Sequence, residues 1–460
     1  MALKVIILAA GKGSRMRSRR PKVLQPLAGR PLLGHVIERA QSIAADQILT
    51  VVGHGSDQVR AHFADQALTF CEQSQQLGTG HAVLQTVSMI DDTDTVLVLY
   101  GDVPLTTSAT LKDLIALASD DHPLALLTMT LASPDGYGRI LRNVHHQVEA
   151  IVEQKDATQD QLKIDEINTG ILAARGAELK QWLAALTSDN AQGEYYLTDI
   201  VRLAVADGHE IATTEPSRLS EVLGVNNKSQ LHTLERMYQR EWAESLMAQG
   251  VTLVDAERFD VRGELVVGQD VTIDANVQCL GAVTLGDDVV VEAHCVLKDC
   301  EIASGARIAP FSHIEGAYVG AQCQVGPYAR LRPGTHLAPA AKVGNFVETK
   351  NAKLGAGAKV NHLSYIGDTT MGQDVNIGAG TITCNYDGAH KHHTEIGDQV
   401  FVGSATQLVA PVKVGSGATI GAGSTITKDA PKDTLTLSRS RQTSLKHWQR
   451  PQKEANESSP

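Results

Sequence analysis

Large rings are scarce in this chain: aromatic residues make up only 4% of 460, with three tryptophans, against forty glycines. A chain so poor in aromatics must fill its interior with something narrower than an ordinary globular core. Cysteine is scarce as well. The six present (Cys71, Cys279, Cys295, Cys300, Cys323, Cys384) form no C-x-x-C pair and no zinc spacing, which excludes a disulfide scaffold and points to structural free thiols in a reducing compartment. No apolar run approaches the roughly 18 residues of a membrane span. The short run at the start passes into a glycine loop rather than a cleavage site, so neither membrane insertion nor a signal peptide is expected. Basic residues never gather in a long block and the net charge is −11, which argues against nucleic acid as a partner. What remains is the profile of a cytoplasmic protein, too long for one ordinary core and expected to hold two or three domains.

What is present divides into two grammars. Residues 1–226 alternate apolar, strand-like runs (Leu3–Gly11, Ile48–Gly55, Asp94–Asp102, Leu124–Leu131) with helical stretches such as Leu32–Ile43. Continuous apolar strands separated by helices predict a Rossmann-like α/β domain with a mostly parallel sheet covered on both faces. Ligands of such sheets bind outside the carboxyl ends of the strands. Both "AAGKG" (Ala9–Gly13) and "YGD" (Tyr100–Asp102) fall there. Small residues let the backbone approach a ligand closely, and the N–H groups of a strand-to-helix turn suit an anion.

Between Asn227 and Gly250, Leu231, Leu234, Tyr238, Trp242 and Leu246 recur at three- and four-residue steps. This predicts an amphipathic helix linking two domains, residues 227–250, with Gly250 as its stop. A six-residue repeat of aliphatics then occupies residues 251–460. It runs through Val267, Ile273, Cys279, Leu285, Val291 and Leu297, resumes at Ile302 and Val319, and continues past an insertion to Ile396, Val402, Leu408, Val414, Ile420 and Ile426. A small or polar residue, often glycine, usually follows each. A hexad is too short to fold alone, but its aliphatic can point inward from one flat face of a triangular coil. Similarity to the hexapeptide-repeat family implies a left-handed parallel β-helix, about 18 residues per coil, with roughly nine coils spaced by about 4.8 Å. Its narrow interior accounts for the missing aromatics. The polar ending "RPQKEANESSP" is expected to be disordered.

The opening loop "LAAGKGSRM" (Leu8–Met16) lacks the ending of a P-loop and the last glycine of G-x-G-x-x-G. Followed by Pro21-Lys22, it resembles the sugar-nucleotide pyrophosphorylases. Further motifs stand in order behind it: "EQSQQLGTGHA", "LYGDVPL", "GYGRI", "VEQKDA" with "INTGI", and "LGVNN". Together with the hexapeptide half they resemble, along nearly the whole chain, the family of bifunctional N-acetylglucosamine-1-phosphate uridylyltransferases and glucosamine-1-phosphate acetyltransferases. The resemblance implies UTP, N-acetylglucosamine-1-phosphate, glucosamine-1-phosphate and acetyl-CoA as substrates, UDP-N-acetylglucosamine for the cell wall as product, and a homotrimer. In uridylyl transfer the sugar phosphate is already anionic, so alignment and charge neutralisation outweigh general-base help. Arg15 is then expected at the departing pyrophosphate and Lys22 against phosphate oxygens. Asp102 is a hard oxygen ligand suited to Mg²⁺, and by resemblance Asn226 completes that metal site. Leu8, Ala9, Ala10, Gly11, Tyr100 and Gly101 are implied along the nucleotide, Gln73, Gly78 and Thr79 at the uracil, and Gly138, Glu153 and Asn168 at the sugar. The adjacent Arg19 and Arg20 read as a solvated loop face.

A hexapeptide solenoid can be an enzyme or only an oligomerisation arm. Polar chemistry breaking the repeat decides, and "NHLSYIGD" (Asn361–Asp368) and "NIGAGTITCNYDGAHKHHTEIGD" (Asn376–Asp398) supply it. Acetyl transfer to an amine needs a base, and histidine has a suitable pKa; His362 matches the family's base. Arg332 and Lys350 offer charge for a sugar phosphate, joined by resemblance by Tyr365 and Asn376. Ala379, Asn385, Tyr386, Ser404, Ala422 and Arg439 match positions around the acyl group and coenzyme A. Asn361 departs from the glycine often found before that histidine, which allows a changed local turn. "HKHH" (His390–His393) reads as a solvated basic loop rather than a metal site.

Overall fold

The structure, a computed structural model, describes residues 2–452. Most of the tail expected to be disordered, residues 453–460, lies outside them. The chain divides into two compact units, Met1–Ser245 and Leu246–Pro460.

The first unit is built on a nine-stranded sheet. In spatial order its main strands are Ala212–Thr214, Leu124–Thr130, Glu166–Arg175, Thr95–Tyr100, Leu3–Leu8, Gln47–Val52 and Thr69–Glu72. Leu3–Leu8 runs parallel to both of its neighbours, with Leu8 opposite Tyr100 on one side and Val51 on the other. Its alternate side chains feed two separate cores: Ile6 and Leu8 enter one, Val5 and Ile7 the other. This burial on both faces is why the strand reads as an unbroken apolar run rather than an alternating one. Glu166–Arg175 is antiparallel to both strands flanking it, and the hairpin Gly138–Arg142/Val148–Val152 extends from it. The helix Leu32–Ser42 buries Leu32, Leu33, Val36, Ile37 and Ala40. The long helix Lys228–Ala248 packs Leu234 among Met16, Leu27, Leu32 and Val225, and Glu235 Oε2 accepts from Ala28 N at 2.7 Å.

The second unit is a left-handed parallel β-helix. One face is an eleven-stranded sheet; the strands of the other faces merge into a fourteen-stranded one. They merge because strands such as Val296–Ile302 run past a corner, pairing with His313–Glu315 before it and Tyr318–Val319 after it. On most coils partners lie 17 or 18 residues apart, as with Val290 opposite Arg307 and Gln324 opposite Lys342, and the insertion widens the step, as with Asn376 opposite Phe401. Eleven strands on one face give about ten coils, slightly more than the repeat predicts, because Thr252–Leu253 and Leu435–Thr436 extend the stack beyond the hexads.

The inward aliphatics from Ile273 to Ile426 are buried, while Val267, in the first coil, is only half covered. Two register positions escaped the aliphatic pattern because threonine occupies them. Thr349 and Thr383 are fully buried, and Thr349 shares a hydrogen bond with Thr335 at 3.0 Å. A second inward residue precedes these aliphatics by two, and it is valine or smaller: Val289, Cys295, Ala306, Ser312, Cys323, Ala329, Ala341, Ala358 and Val375 are all buried. The five buried cysteines are therefore core fillers, while Cys384 is only half-buried. All six are free, and burial pushes the Cys295 thiol up to about 11 and that of Cys300 up to about 12, which keeps them unreactive.

Because each inward aliphatic is enclosed by the coils above and below, truncation leaves a cavity that cannot collapse. Ile308→Ala is expected to cost about 2–5 kcal/mol, read from the denaturant midpoint of the β-helix transition. A loss under about 1 kcal/mol contradicts inward stacking at this position.

Candidate active sites

In the first unit, the strands Leu3–Leu8 and Thr95–Tyr100 end side by side, and the backbone turns there are tied together. Gly101 N donates to Leu8 O at 2.9 Å, and Ala9 N to Val51 O at 2.8 Å. Ten of the residues expected at a nucleotide line one cavity of about 310 Å³: Leu8, Ala9, Ala10, Gly11, Lys22, Gln73, Gly78, Thr79, Tyr100 and Asp102. Gly101 is not on that wall; its part is the bond to Leu8. Arg15 and Asn226 line an adjoining cavity of about 460 Å³ that shares Tyr100 and Asp102. Arg15 sits on the short turn Ser14–Met16, entered through Gly13 at φ 57. A Cβ on Gly13 would come within 2.7 Å of Lys22 Cβ, so the glycine lets the loop close over that lysine.

Charge converges at the join of the two cavities. Lys22 Nζ donates to Asp102 Oδ2 and, at 3.2 Å, to Asn226 Oδ1. Two oxygens, supplied from positions 102 and 226, thus meet on a single cation. This donor set fits a hard divalent ion that keeps most of its shell for water and phosphate. No cluster of three or more His, Cys, Asp or Glu residues suited to a metal exists among the described residues. Such an ion would depend on its substrate for further ligands.

The residues expected at a sugar gather around Tyr100. Asn168 pairs with Gly138 across the antiparallel ladder, and a Cβ on Gly138 would lie 3.6 Å from Glu153 Cδ. Burial, then the nearby charges of Glu153 and Asp102, hold the Tyr100 phenol well above its ordinary range. Burial likewise raises Glu153, against a hydrogen bond from Thr198 Oγ1 at 3.1 Å. Glu153 lines a third cavity, of about 370 Å³, together with Asp156 and Asp199. Arg19 and Arg20 lie apart from these residues, exposed beside Gln58 and His62.

In the second unit the repeat itself aligns the predicted residues. Parallel pairing sets Lys342 opposite Lys359, Lys359 opposite Asn376, Asn376 opposite Phe401, and Phe401 opposite Thr419. Three residues beyond each stand Asn345, His362, Ala379, Ser404 and Ala422, one column on successive coils. At about 4.8 Å per coil, His362 and Ala422 are about 14 Å apart along it. Arg439 caps the column, Nη1 donating to Ala422 O at 2.9 Å. Asn361 lies within the strand Lys359–His362, and its backbone φ is not in the left-handed region. The expected change of turn does not occur, because a strand accommodates asparagine without strain.

The exposed imidazole of His362 has a fixed partner in Asn345, Oδ1 to Nδ1 at 2.9 Å. Gly380 N and Ser364 Oγ both donate to His362 O, at 3.3 and 2.8 Å. Nearby, Arg332 donates to Glu348 at 2.7 Å. Lys350 faces Lys391, a residue that nothing in the repeat singled out, because it rides on the insertion. Hydrogen bonding and repulsion from Lys391, then repulsion from Arg332, pull the Lys350 ammonium below its ordinary value. Asp368 is the opposing anion. Burial acts to raise its carboxyl, but hydrogen bonds from Asn351 and Asn385 and the charges of Lys391 and Lys350 hold it below the usual range. Tyr365 and Asn376 stand at strand starts on the same coils.

The insertion is a short, self-bonded hairpin, with Tyr386 bridged to Lys391. Tyr386 Oη donates to Gly388 O at 2.6 Å, and Asp387 accepts from Ala389 N and His390 N. His392 meets Asp387 at 2.7 Å, and His393 meets Thr370 at 3.0 Å.

An α/β unit with a phosphate-suited loop and a β-helix with a histidine column together define a nucleotidyltransferase joined to a hexapeptide-type transferase. Residues 5–252 match the MobA-like NTP transferase domain. Residues 261–344 match the GMPPB C-terminal domain, and 393–428 match six bacterial transferase hexapeptide repeats. Over whole chains, this one is 62% identical to the bifunctional protein GlmU of Hydrogenovibrio crunogenus, covering 98% of this chain and 100% of that one. It is 57% identical to that of Burkholderia mallei and 56% to that of Ralstonia nicotianae, each covering 98% of this chain and 99% of the relative. The chain belongs to the GlmU family of bifunctional proteins. It is an enzyme with uridylyltransferase and acetyltransferase activities that serve UDP-N-acetylglucosamine synthesis.

The lysine pair yields a direct check. Lys391→Ala removes the main cause of the Lys350 shift, so the Lys350 ammonium should titrate at higher pH, and at fixed pH its amine should label more slowly. An unchanged Lys350 titration contradicts the contact.

Proposed function

We propose that residues 1–226 carry uridylyl transfer and that the column on the β-helix carries acetyl transfer. The observation that carries this reading is the presence of two separate constellations, each with side chains suited to a different reaction.

For the first, an oxygen of N-acetylglucosamine-1-phosphate attacks the α-phosphorus of UTP. A P–O bond forms, the bond to the β-phosphate breaks, and pyrophosphate leaves. Arg15 meets the charge growing on pyrophosphate, and Lys22 meets phosphate oxygens. Asp102 and Asn226 would hold Mg²⁺, whose charge offsets that of the triphosphate. Gln73, Gly78 and Thr79 take the uracil, while Gly138, Glu153 and Asn168 take the sugar. The half-buried Tyr100 lines both cavities.

For the second, Asn345 Oδ1 accepts the Nδ1 proton of His362 and leaves Nε2 as the base. Nε2 takes a proton from the glucosamine ammonium, and the free amine attacks the thioester carbonyl. A C–N bond forms and the C–S bond breaks; coenzyme A leaves as a thiolate that takes the proton shed by the new amide nitrogen, and the proton on His362 Nε2 passes to solvent. Arg332, Lys350 and Lys391 hold the sugar phosphate, with Tyr365 and Asn376 beside it. Ala379, Ser404 and Ala422 offer a smooth track for the pantetheine arm, Asn385 and Tyr386 flank the acyl end, and Arg439 meets the coenzyme's phosphates. Because His362 lies on the outside of a flat-sided coil, the groove is completed by a neighbouring copy in a cyclic trimer. No helix of the described residues is long and apolar enough to cross a membrane, and the enzyme works in the cytoplasm.

Two variants separate the reactions. Asp102→Ala should sharply lower pyrophosphate release from UTP and leave thiol release from acetyl-CoA nearly unchanged. His362→Ala should lose acetyl transfer by roughly a hundred- to ten-thousand-fold, with uridylyl transfer intact. Equal loss of both activities in a folded variant contradicts the assignment.

A further inference from the structure

The cavity residue Gln73 is almost entirely covered, at 2% exposure, and both hydrogens of its amide are committed. Nε2 lies 3.1 Å from Gly78 O and 3.1 Å from His81 Nδ1. Among the described residues no hydrogen bond to Gln73 Oε1 is formed, and Oε1 is not among the buried polar atoms left without a partner. The amide oxygen is thereby left to the cavity that Gln73 lines with Gly78 and Thr79.

A carboxamide can turn over and exchange its oxygen for its nitrogen at little steric cost, so its orientation must be imposed by neighbours. Two neighbours impose it here. A carbonyl can only accept, and Gly78 O is pinned. Gly78 has φ 110, and a Cβ there would come within 2.5 Å of Tyr195 O. Tyr195 clamps both sides of the turn, accepting from Gly80 N and donating to Leu77 O, each at 2.8 Å. With the nitrogen held on that side, the second amide hydrogen points at His81 Nδ1, which accepts it only if unprotonated. The His81 ring is held in turn. It packs on Tyr195 with ring centres 6.3 Å apart, and Gln85 Nε2 donates to His81 O at 2.9 Å.

We propose that His81 is a positioning residue for base selection: its Nδ1 holds the Gln73 amide so that an oxygen, not an N–H, faces the pyrimidine. This rests on the reading of Gln73 as the group that meets the base. Uracil carries a hydrogen on N3 and donates it, whereas cytosine has a lone pair there and accepts. A fixed acceptor therefore favours UTP and repels CTP, and an amide free to turn admits both. His81 itself touches neither base nor phosphate; it acts through Gln73.

The test uses the full chain and compares kcat/KM for UTP and for CTP in pyrophosphate release. Thiol release from acetyl-CoA serves as the check that each variant is folded. His81→Ala and the larger His81→Leu, neither offering an acceptor, should each lower the UTP-to-CTP ratio by roughly tenfold, the scale of one lost hydrogen bond. Part of that change should come from a gain with CTP, which mere structural damage would not produce. His81→Asn, which places an oxygen where Nδ1 was, should keep the ratio within about threefold of the parent. Gln73→Leu tests the underlying reading alone. If it leaves the ratio unchanged, Gln73 does not read the base and the proposal falls with that reading. If Gln73→Leu collapses the ratio while His81→Ala and His81→Leu preserve it, the base reading stands and the role of His81 is overturned.

Discussion

Parallel strand pairing demands a continuous supply of buried aliphatic side chains, and it leaves no room for chemistry on the faces that it buries. In both units the polar groups are accordingly displaced to strand ends and to side chains that point away from the core. In the α/β unit this is the carboxyl edge of Leu3–Leu8 and Thr95–Tyr100, where Gly101 N still reaches Leu8 O but the following Asp102 is free to face a cavity. In the β-helix it is the position just before each corner. There, in the last residue of the strand or just past it, the side chain points away from the core, and the next residue turns in the left-handed region, as Leu363 does at φ 49 and Ala405 at φ 58. The same rule that makes each core rigid thus stacks functional side chains at a fixed interval.

The two sites handle charge in opposite ways. In the first unit Lys22 satisfies Asp102 internally, so the resting site is nearly neutral and a phosphate or cation must exchange with that pair. In the second, Lys350 and Lys391 are pressed together, with Asp368 as the carboxylate acting on both. A like-charge cluster of this kind is costly until an anion arrives. Binding of a sugar phosphate would relieve the repulsion as well as adding contacts of its own.

The fold could be read closely from the sequence because both grammars are periodic. The run Leu3–Leu8 and the hexads from Ile273 to Ile426 each report a buried position by residue type alone. Thr349 and Thr383 were hidden because a threonine in a dry core looks like a surface residue, and the extra coil strands at Thr252–Leu253 and Leu435–Thr436 because they carry no hexad. Cavity residues such as Lys22, Gln73 and Asp102 were found through their motifs. Lys391 and His81 stood inside quoted stretches without a role of their own, and Asn345 stood outside every motif. Each acts through contact with a residue distant in sequence or through a hydrogen bond whose direction is invisible without coordinates. Lys391 reaches Lys350 only because an insertion folds back, and Asn345 meets His362 only because one coil equals 17 residues. Arg19 and Arg20, despite their position near the loop, line a different surface.

The central claim is that two independent sites act in sequence on one chain, linked by a product that can leave one and enter the other. The most direct measurement mixes full-length Asp102→Ala with full-length His362→Ala and supplies glucosamine-1-phosphate, acetyl-CoA and UTP. Neither variant alone should form UDP-N-acetylglucosamine at an appreciable rate. The mixture should form it after a lag, with N-acetylglucosamine-1-phosphate accumulating first. A mixture as inactive as its components, with both variants folded, would contradict the account.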